Sequence, residues 1–166
     1  SYNDTQTIIN GYEITNYHEY IEDNVLRLSF YSKAANSLGD KDVRISQRLY
    51  APTNRLRGFE RFKVGPTDNG DFVGGNYVAT VNISAELPVL NSLDSVSINS
   101  FYDAANVWGV DYNSSIDDSN KIRSSTGLAA NWFTPIGPLT FSFAHPLTKA
   151  STDKTEGFRF NLGTSF

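Results

Sequence analysis

The sequence predicts an all-β protein: an antiparallel transmembrane β-barrel of about eight strands, joined in chain order as an up-and-down meander. Three observations predict this fold. Apolar and polar residues alternate along most of the 166 residues, the connections between the alternating segments alternate in length, and the last segment alternates up to a terminal aromatic residue. No segment approaches the roughly eighteen consecutive apolar residues of a membrane helix, which excludes a helical membrane protein.

Each alternating segment is predicted to be a strand with one apolar face and one polar face. In segment 25–32, for example, Leu28 and Phe30 share one face while Arg27 and Ser29 share the other. In chain order, the predicted strands are 5–17, 25–32, 43–50, 76–87, 95–107, 124–133, 139–143 and 158–166.

The predicted connections fall into two length classes that alternate along the chain. The long ones are 17–24, 51–75, 108–123 and 147–156, and the short ones are 36–42, 88–94 and 134–138. Because consecutive connections of a meander lie at opposite ends of the sheet, all long connections are expected at one end. Outer-membrane barrels have short periplasmic turns and longer external loops. The C-terminus is therefore expected on the periplasmic side of a bacterial outer membrane.

Composition fits this fold but does not by itself decide it. Eleven Phe, nine Tyr and two Trp suit the aromatic girdles of a barrel, although a Tyr-rich soluble sandwich would fit equally well. The net charge of −4 and the pI near 5.1 argue against nucleic acid as a partner. The absence of Cys is compatible with an oxidising compartment.

No residue pattern marks an enzyme or a cofactor site. His18 and His145 have no acid and nucleophile at an informative spacing. Segment 68–71 faintly resembles a calcium loop, but it lacks the downstream Glu. We therefore expect no catalysis, no metal and no cofactor.

One segment carries a family signature. The residues Leu-Arg-Gly-Phe-Glu at 56–60, followed by 64–66 and 73–76, resemble the sixth-loop signature of the BamA superfamily of outer-membrane assembly barrels. Further motifs of that family follow in the same order, at 85–88, 101–108, 122–127, 131–139, 142–146 and 158–166. The colinear match begins at Leu56, while the segment before it fits by strand pattern only.

The resemblance implies an outer-membrane barrel whose family inserts and folds other outer-membrane proteins by strand templating, with the assembly machinery and client proteins as partners. The family's barrel has sixteen strands behind periplasmic POTRA domains. Residues 1–166 are therefore expected to form one domain, equivalent to the C-terminal half of that barrel and without POTRA domains. The alternative is a self-contained eight-stranded structural or engineered barrel derived from the family, without insertase activity. A two-partner secretion pore is a third alternative, which the narrow lumen of eight strands disfavours.

The resemblance also assigns roles to the sixth-loop signature, which comprises Arg57, Gly58, Phe59, Gly65 and Pro66. It implies that this loop folds back into the barrel and that Arg57 meets acidic groups on the inner wall. Glu86 and Asp103 lie on the polar faces of neighbouring predicted strands, and an Arg fork can bind two carboxylates. We therefore expect both as lumenal partners of Arg57. The alternative is that Arg57 is a solvated loop cation.

The last predicted strand has two interpretations. Its apolar face presents Phe158, Phe160, Leu162 and Phe166, and Gly163 lies on the polar face. By the resemblance this strand is an assembly signal, read by strand addition to an exposed sheet edge; the alternative is a plain closing strand. Outer-membrane lipids are the expected surroundings of the apolar faces, and open strand edges are expected to allow self-association.

Overall fold

The structure, a computed structural model, describes residues 6–89, 95–118 and 121–163. The strands are β1 (Gln6–Ile21), β2 (Asn24–Leu38), β3 (Thr67–Asp68), β4 (Asp71–Phe72), β5 (Tyr77–Glu86), β6 (Val96–Trp108), β7 (Arg123–Thr134), β8 (Gly137–Thr148) and β9 (Phe158–Leu162). One antiparallel sheet has the strand order β1-β2-β5-β6-β7-β8-β9, and β3 and β4 form a separate hairpin. The predicted antiparallel meander is confirmed. Within the described residues the sheet is open, with β1 and β9 as its edge strands.

The predicted strand 43–50 is wrong, so the main sheet has seven strands rather than eight. Ile45–Gln47 forms a 3-10 turn. The apparent alternation does not describe a common face, because Val43 is 3 % exposed whereas Ile45 is 63 % exposed. The segment belongs instead to the long connection between β2 and β5.

The connections still differ between the two ends of the sheet. Glu22 and Asp23 alone join β1 to β2, and Asp23 has the positive φ (62°) of a tight turn. The predicted long connection 17–24 is therefore wrong as well. The two tightest connections, after β1 and β7, lie at one end of the sheet, which we call the turn end. The two longest, after β2 and β6, lie at the other, which we call the loop end.

The two faces of the sheet have opposite chemistry. The inner face, which the long connection after β2 covers, buries polar residues, among them Ser29, Asn82, Asp103, Ser125 and Ser142. The outer face exposes apolar residues, among them Leu28, Phe30, Val81, Tyr102, Leu128, Phe143, Phe158, Phe160 and Leu162. A soluble sheet has the reverse arrangement, with its apolar face buried. The predicted alternation of a lipid-facing barrel wall therefore describes this sheet.

The apolar core lies between the inner face and the long connection. Leu56, Phe59 and Val64 of that connection pack with Ala105 of β6. This core fixes the loop against the sheet rather than one sheet against another. No helix in the described ranges has the length and apolar character needed to cross a membrane.

Candidate functional site

A row of buried polar side chains crosses the inner face. Ser29 of β2 pairs with Asn82 of β5, Asn82 pairs with Asp103 of β6, and Asp103 pairs with Ser125 of β7. The four residues therefore stand side by side, perpendicular to the strands. We call them the polar row. Buried polar groups need hydrogen-bond partners, and the long connection supplies them.

Segment 53–59 of the long connection lies along the polar row and exchanges hydrogen bonds with it. The Arg55 side chain donates through Nη1 to Ser29 Oγ (3.0 Å), and the Arg55 carbonyl accepts from Asn82 Nδ2 (2.7 Å). Ser125 Oγ donates to the Arg57 carbonyl. The loop carbonyl groups thus accept hydrogen bonds from buried side chains of the sheet, and the same bonds hold the loop in place.

Arg57 and Asp103 form the centre of this arrangement. Arg57 Nε and Nη2 donate to Asp103 Oδ2 and Oδ1, both at 2.7 Å, and the Arg57 backbone N–H donates to Oδ2 at 3.1 Å. Asn82 Nδ2 donates to Oδ1 at 2.8 Å. The guanidinium also stacks over the Phe101 ring, 3.6 Å from its centroid. The Asp103 side chain is completely buried and has both oxygens occupied.

Glu86, the second expected partner of Arg57, lies elsewhere. It stands four residues beyond Asn82 toward the turn end of β5, about 13 Å away by strand rise. In the described part of the chain, no hydrogen bond or ion pair joins Glu86 to Arg57. The amide of Asn82 occupies the place that the sequence assigned to a second carboxylate.

Gly58 and Phe59 bring the loop into close contact with β7 and β8. Gly58 has a φ of 90°, and a Cβ at this position would lie 3.1 Å from Ala144 Cβ and 3.2 Å from Ser125 Cβ. Glycine is therefore required here both by backbone conformation and by space. Phe59 is buried in the core and forms an isolated bridge with Thr155 of the β8–β9 connection.

The same segment reaches both edge strands of the sheet. On β1, Glu13 forms an ion pair with Arg55. On β9, Arg159 donates to the carbonyl oxygens of Thr53 (2.7 Å) and Phe59 (2.6 Å). Together with the polar row and the Gly58 contact with β8, these bonds connect segment 53–59 to every strand of the main sheet. The segment is a transverse tie that joins the two edges across the inner face.

Gly65 and Pro66, the remaining signature residues, lie further along the loop. Gly65 has a φ of 114°, and a Cβ there would lie 3.2 Å from Val107. Its N–H donates to Asp153 Oδ1 (3.3 Å), and Asp153 is held by Arg123 Nε (2.8 Å). Pro66 is buried and accepts a backbone hydrogen bond from Val73. The sequence reasoning missed Arg123 and Asp153, which form a second buried ion pair beneath the loop.

A third ion pair, also missed, fixes the loop at the loop end of the sheet. Buried Arg48 pairs with Asp111 of the β6–β7 connection, and Arg48 Nη1 donates to Asn76 Oδ1 (3.2 Å). Burial raises the pKa of the Asp111 carboxyl, but hydrogen bonds from the Val43 N–H, Asn76 and Arg48 outweigh it and hold the pKa below its ordinary value of 3.8. The alternation that suggested a strand at 43–50 therefore belongs to a loop that is held in place by Arg48.

The last strand turns Phe158, Phe160 and Leu162 toward the outer face, as its alternation predicts. Phe143 of β8 packs against Phe158 with ring centroids 4.9 Å apart. Gly163 has a φ of 103° and its N–H donates to the Pro138 carbonyl (2.8 Å). Phe166 lies outside the described residues.

The described residues contain no group of three or more His, Cys, Asp and Glu side chains that could hold a metal ion. A space of about 870 Å³ remains beside the tie, on its turn-end side, where the inner face is not covered by the loop. The arrangement is therefore a polar, loop-filled interior behind an apolar wall.

These features define a class: a section of the wall of an outer-membrane-type β-barrel, with a loop fixed inside it. Residues 3–166 match the family model of the Omp85 superfamily domain. The chain belongs to the Omp85 superfamily.

Similar proteins agree with this assignment. The chain is 32 % identical over 141 residues to the outer membrane protein assembly factor BamA of Neisseria meningitidis, which covers 67 % of the chain and 17 % of that protein. It is 29 % identical over 154 residues to a SAM50-like protein of Schizosaccharomyces pombe, covering 85 % of the chain and 31 % of that protein. The chain thus spans less than a third of the length of either relative.

A solved structure has the same fold. The crystal structure of Haemophilus ducreyi BamA lacking POTRA domains 1-3 superposes with a TM-score of 0.82 at 27 % sequence identity. The match covers 93 % of the chain and 34 % of the BamA chain. The recognition of a BamA-like barrel from the sequence is confirmed.

Proposed function

We propose that the chain forms one domain, the C-terminal part of an outer-membrane barrel that inserts and folds other outer-membrane proteins. The turn end faces the periplasm and the loop end faces outward. The barrel assembly machinery and its clients are the partners, and outer-membrane lipids cover the outer face. Two observations together carry the proposal. The sheet exposes its apolar face and buries its polar face, and its edge strand β9 is unpaired on one side within the described residues.

The names of the relatives support the activity. The similar proteins from Neisseria meningitidis and Neorickettsia risticii are outer membrane protein assembly factors, and a human relative is a sorting and assembly machinery component. Assembly by such a barrel requires no bond chemistry. The mechanism that we propose is templated strand pairing at a poorly sealed edge, with local thinning of the bilayer beside it.

The geometry of β9 supports the edge as a template. The Gly163 N–H donates toward β8, to Pro138. Because N–H groups along a strand alternate in direction, the Asn161 N–H also points toward β8, whereas those of Phe160 and Leu162 point away from it. Within the described residues no strand pairs with these outward backbone groups, so they can bind an incoming strand.

The self-contained eight-stranded barrel has less support. It required a strand at 43–50 and closure of β1 on the last strand. The described sheet has seven strands and open edges, which suits a section of a larger barrel.

A paired substitution at Leu162 tests the proposal. The full-length protein is reconstituted in liposomes, and the folding rate of an unrelated client barrel is measured by its heat-dependent shift on gels. Leu162→Pro removes an outward N–H donor without removing a bond to β8, and it should slow client folding toward the rate in empty liposomes. Leu162→Ala changes the side chain but keeps the donor, and it should retain the parental rate.

Two results would contradict the proposal. One is a parental protein that folds the client no faster than empty liposomes. The other is an equal rate for Leu162→Pro and Leu162→Ala, since the backbone donor would then be irrelevant.

A further inference from the structure

The space beside the tie, bounded by the inner face of the sheet, is strongly basic. It has a volume of about 870 Å³ and lies toward the turn end. Polar side chains line most of it, and Glu13 is the one carboxylate among the described residues of its wall. The arginines in its wall are Arg27, Arg55, Arg57, Arg61 and Arg159. The space is a groove that is open on one side, because the sheet is open within the described residues, and its charge is that of a site for an anion.

Among the described residues, three of these arginines have carboxylate partners and two have none. The ion pairs are Arg55 with Glu13, Arg57 with Asp103, and Arg159 with Glu156. Among the described ion pairs, none includes Arg27 or Arg61. The positive charge in excess therefore belongs to these two residues.

Arg27 is the more constrained of the two. Its Nε atom is buried and has no hydrogen-bond partner. Tyr17 of β1 and Ser84 of β5 stand directly opposite Arg27 on the neighbouring strands, and both line the same space. A buried donor of a cationic group without a partner is costly. An anion beside Arg27 would remove that cost and would find hydroxyl donors on both sides.

A second guanidinium lies close by. Arg55 donates a hydrogen bond to Ser29. Ser29 lies two residues from Arg27 on β2, and the strand rise places their backbones about 7 Å apart. Arg61 lines the space from the loop side. The two walls thus present cations to one volume, as a site for a multiply charged ligand requires.

We propose that this space, the lumenal arginine site, binds a phosphate group, with Arg27 as its principal ligand and Arg61 as a second cation. The planar fork of Arg matches the geometry of phosphate oxygens and binds them through two parallel hydrogen bonds. The phosphate can belong to a soluble compound or to a lipid headgroup that enters from the turn end. The inference requires a polar, water-filled interior but not the assembly activity, so the two proposals fail independently.

Calorimetric titration tests the site. The full-length protein in neutral detergent is titrated with sodium phosphate, and separately with a short-chain phospholipid bearing a phosphate monoester headgroup. Sodium chloride at matched ionic strength is the reference for screening. Arg27→Gln should weaken phosphate binding by about tenfold or more. Arg27→Lys, which keeps the charge and loses the fork, should weaken it less. Lys149→Gln, at an exposed cation outside the site, is the control and should bind as the parent does.

Binding of either phosphate that Arg27→Gln weakens supports the site, and the tighter of the two ligands identifies the source. Heat released equally by phosphate and chloride overturns it, as does equal binding by the parent and by Arg27→Gln. The folded state of each variant is checked by its heat-dependent gel shift, and Arg61→Gln, in an exposed loop position, serves if Arg27→Gln does not fold.

Discussion

Asp103 receives the Arg57 guanidinium through two hydrogen bonds of 2.7 Å while its own side chain is completely buried. A buried carboxylate is stable only when its partner is present. Because Asp103 lies on β6 and Arg57 on the long connection, the pair fixes the tie to the middle of the sheet. The stability of the loop and that of the sheet are therefore coupled at one contact.

Removing Asp103 should destabilise the protein strongly. Asp103→Ala leaves Arg57 without its carboxylate partner, and we expect a loss of about 3–5 kcal/mol in the free energy of unfolding. Denaturant titration in detergent measures it. Asp117→Ala is the control, since its ion pair with Lys121 is exposed, and it should cost less than about 1 kcal/mol. Similar losses for the two variants would show that the buried pair is not a stability determinant.

Alanine substitutions at two glycines separate the energetic cost of steric crowding from that of backbone strain. Gly58 and Gly70 both have a φ of 90°, but a Cβ at Gly70 would meet nothing within 4 Å. Gly70→Ala should cost about 1–2 kcal/mol for the left-handed conformation alone. Gly58→Ala should cost about 1–3 kcal/mol more, because its methyl group meets Ser125 and Ala144. Denaturant titration measures both, and equal costs would contradict the close packing of the tie.

Arg159 should hold the last strand to the tie. Arg159→Gln removes hydrogen bonds to the carbonyl oxygens of Thr53 and Phe59. We expect faster amide hydrogen exchange in β9, with exchange in β5 unchanged, because local opening follows the loss of local contacts. Mass spectrometry of proteolytic fragments resolves the two strands. Unchanged exchange in β9 would show that pairing with β8 is sufficient to hold it.

Acid should loosen the loop at Asp111. The folded-state pKa of this carboxyl lies below its ordinary value of 3.8, so its contribution to stability is present above about pH 3.8 and is lost as the pH falls through the folded-state pKa. Protease cleavage within segment 43–50 should rise between pH 5 and about pH 3, measured with an acid-stable protease. Asp111→Asn should remove most of this pH dependence, whereas Asp71→Asn, at an exposed carboxyl, should not. A parental cleavage rate that is flat over this range would contradict the assignment.

The outer wall could be predicted from the sequence because the alternation there is strict. Leu128 and Phe143 are exposed, and the polar residues Ser125 and Ser142 on the other face are buried. Segment 43–50 alternates equally well but forms a loop, because Arg48 is anchored to Asp111 in a distant connection. Alternation alone does not carry that information. The first connection was predicted too long for a different reason: the predicted strand ended at Tyr17, whereas β1 continues to Ile21.

The site could be predicted only in part. The family signature pointed to Arg57 and Gly58, and the polar face pointed to Asp103. Asn82 and Ser125 could not be assigned, because their alignment beside Asp103 depends on the register between strands, which the sequence does not state. The buried Arg123–Asp153 pair likewise joins segments 30 positions apart, without a local pattern to mark it.

The central claim is that the apolar face of the sheet contacts lipid while the opposite face encloses water, and spin labelling tests it most directly. The chain has no Cys, so Phe143→Cys and Thr140→Cys place single nitroxide labels on opposite faces of β8. In liposomes, the label at position 143 should be accessible to oxygen and shielded from a water-soluble nickel complex. The label at position 140, which lines the inner space, should show the reverse. Equal access of the nickel complex to both labels would contradict a membrane-spanning wall.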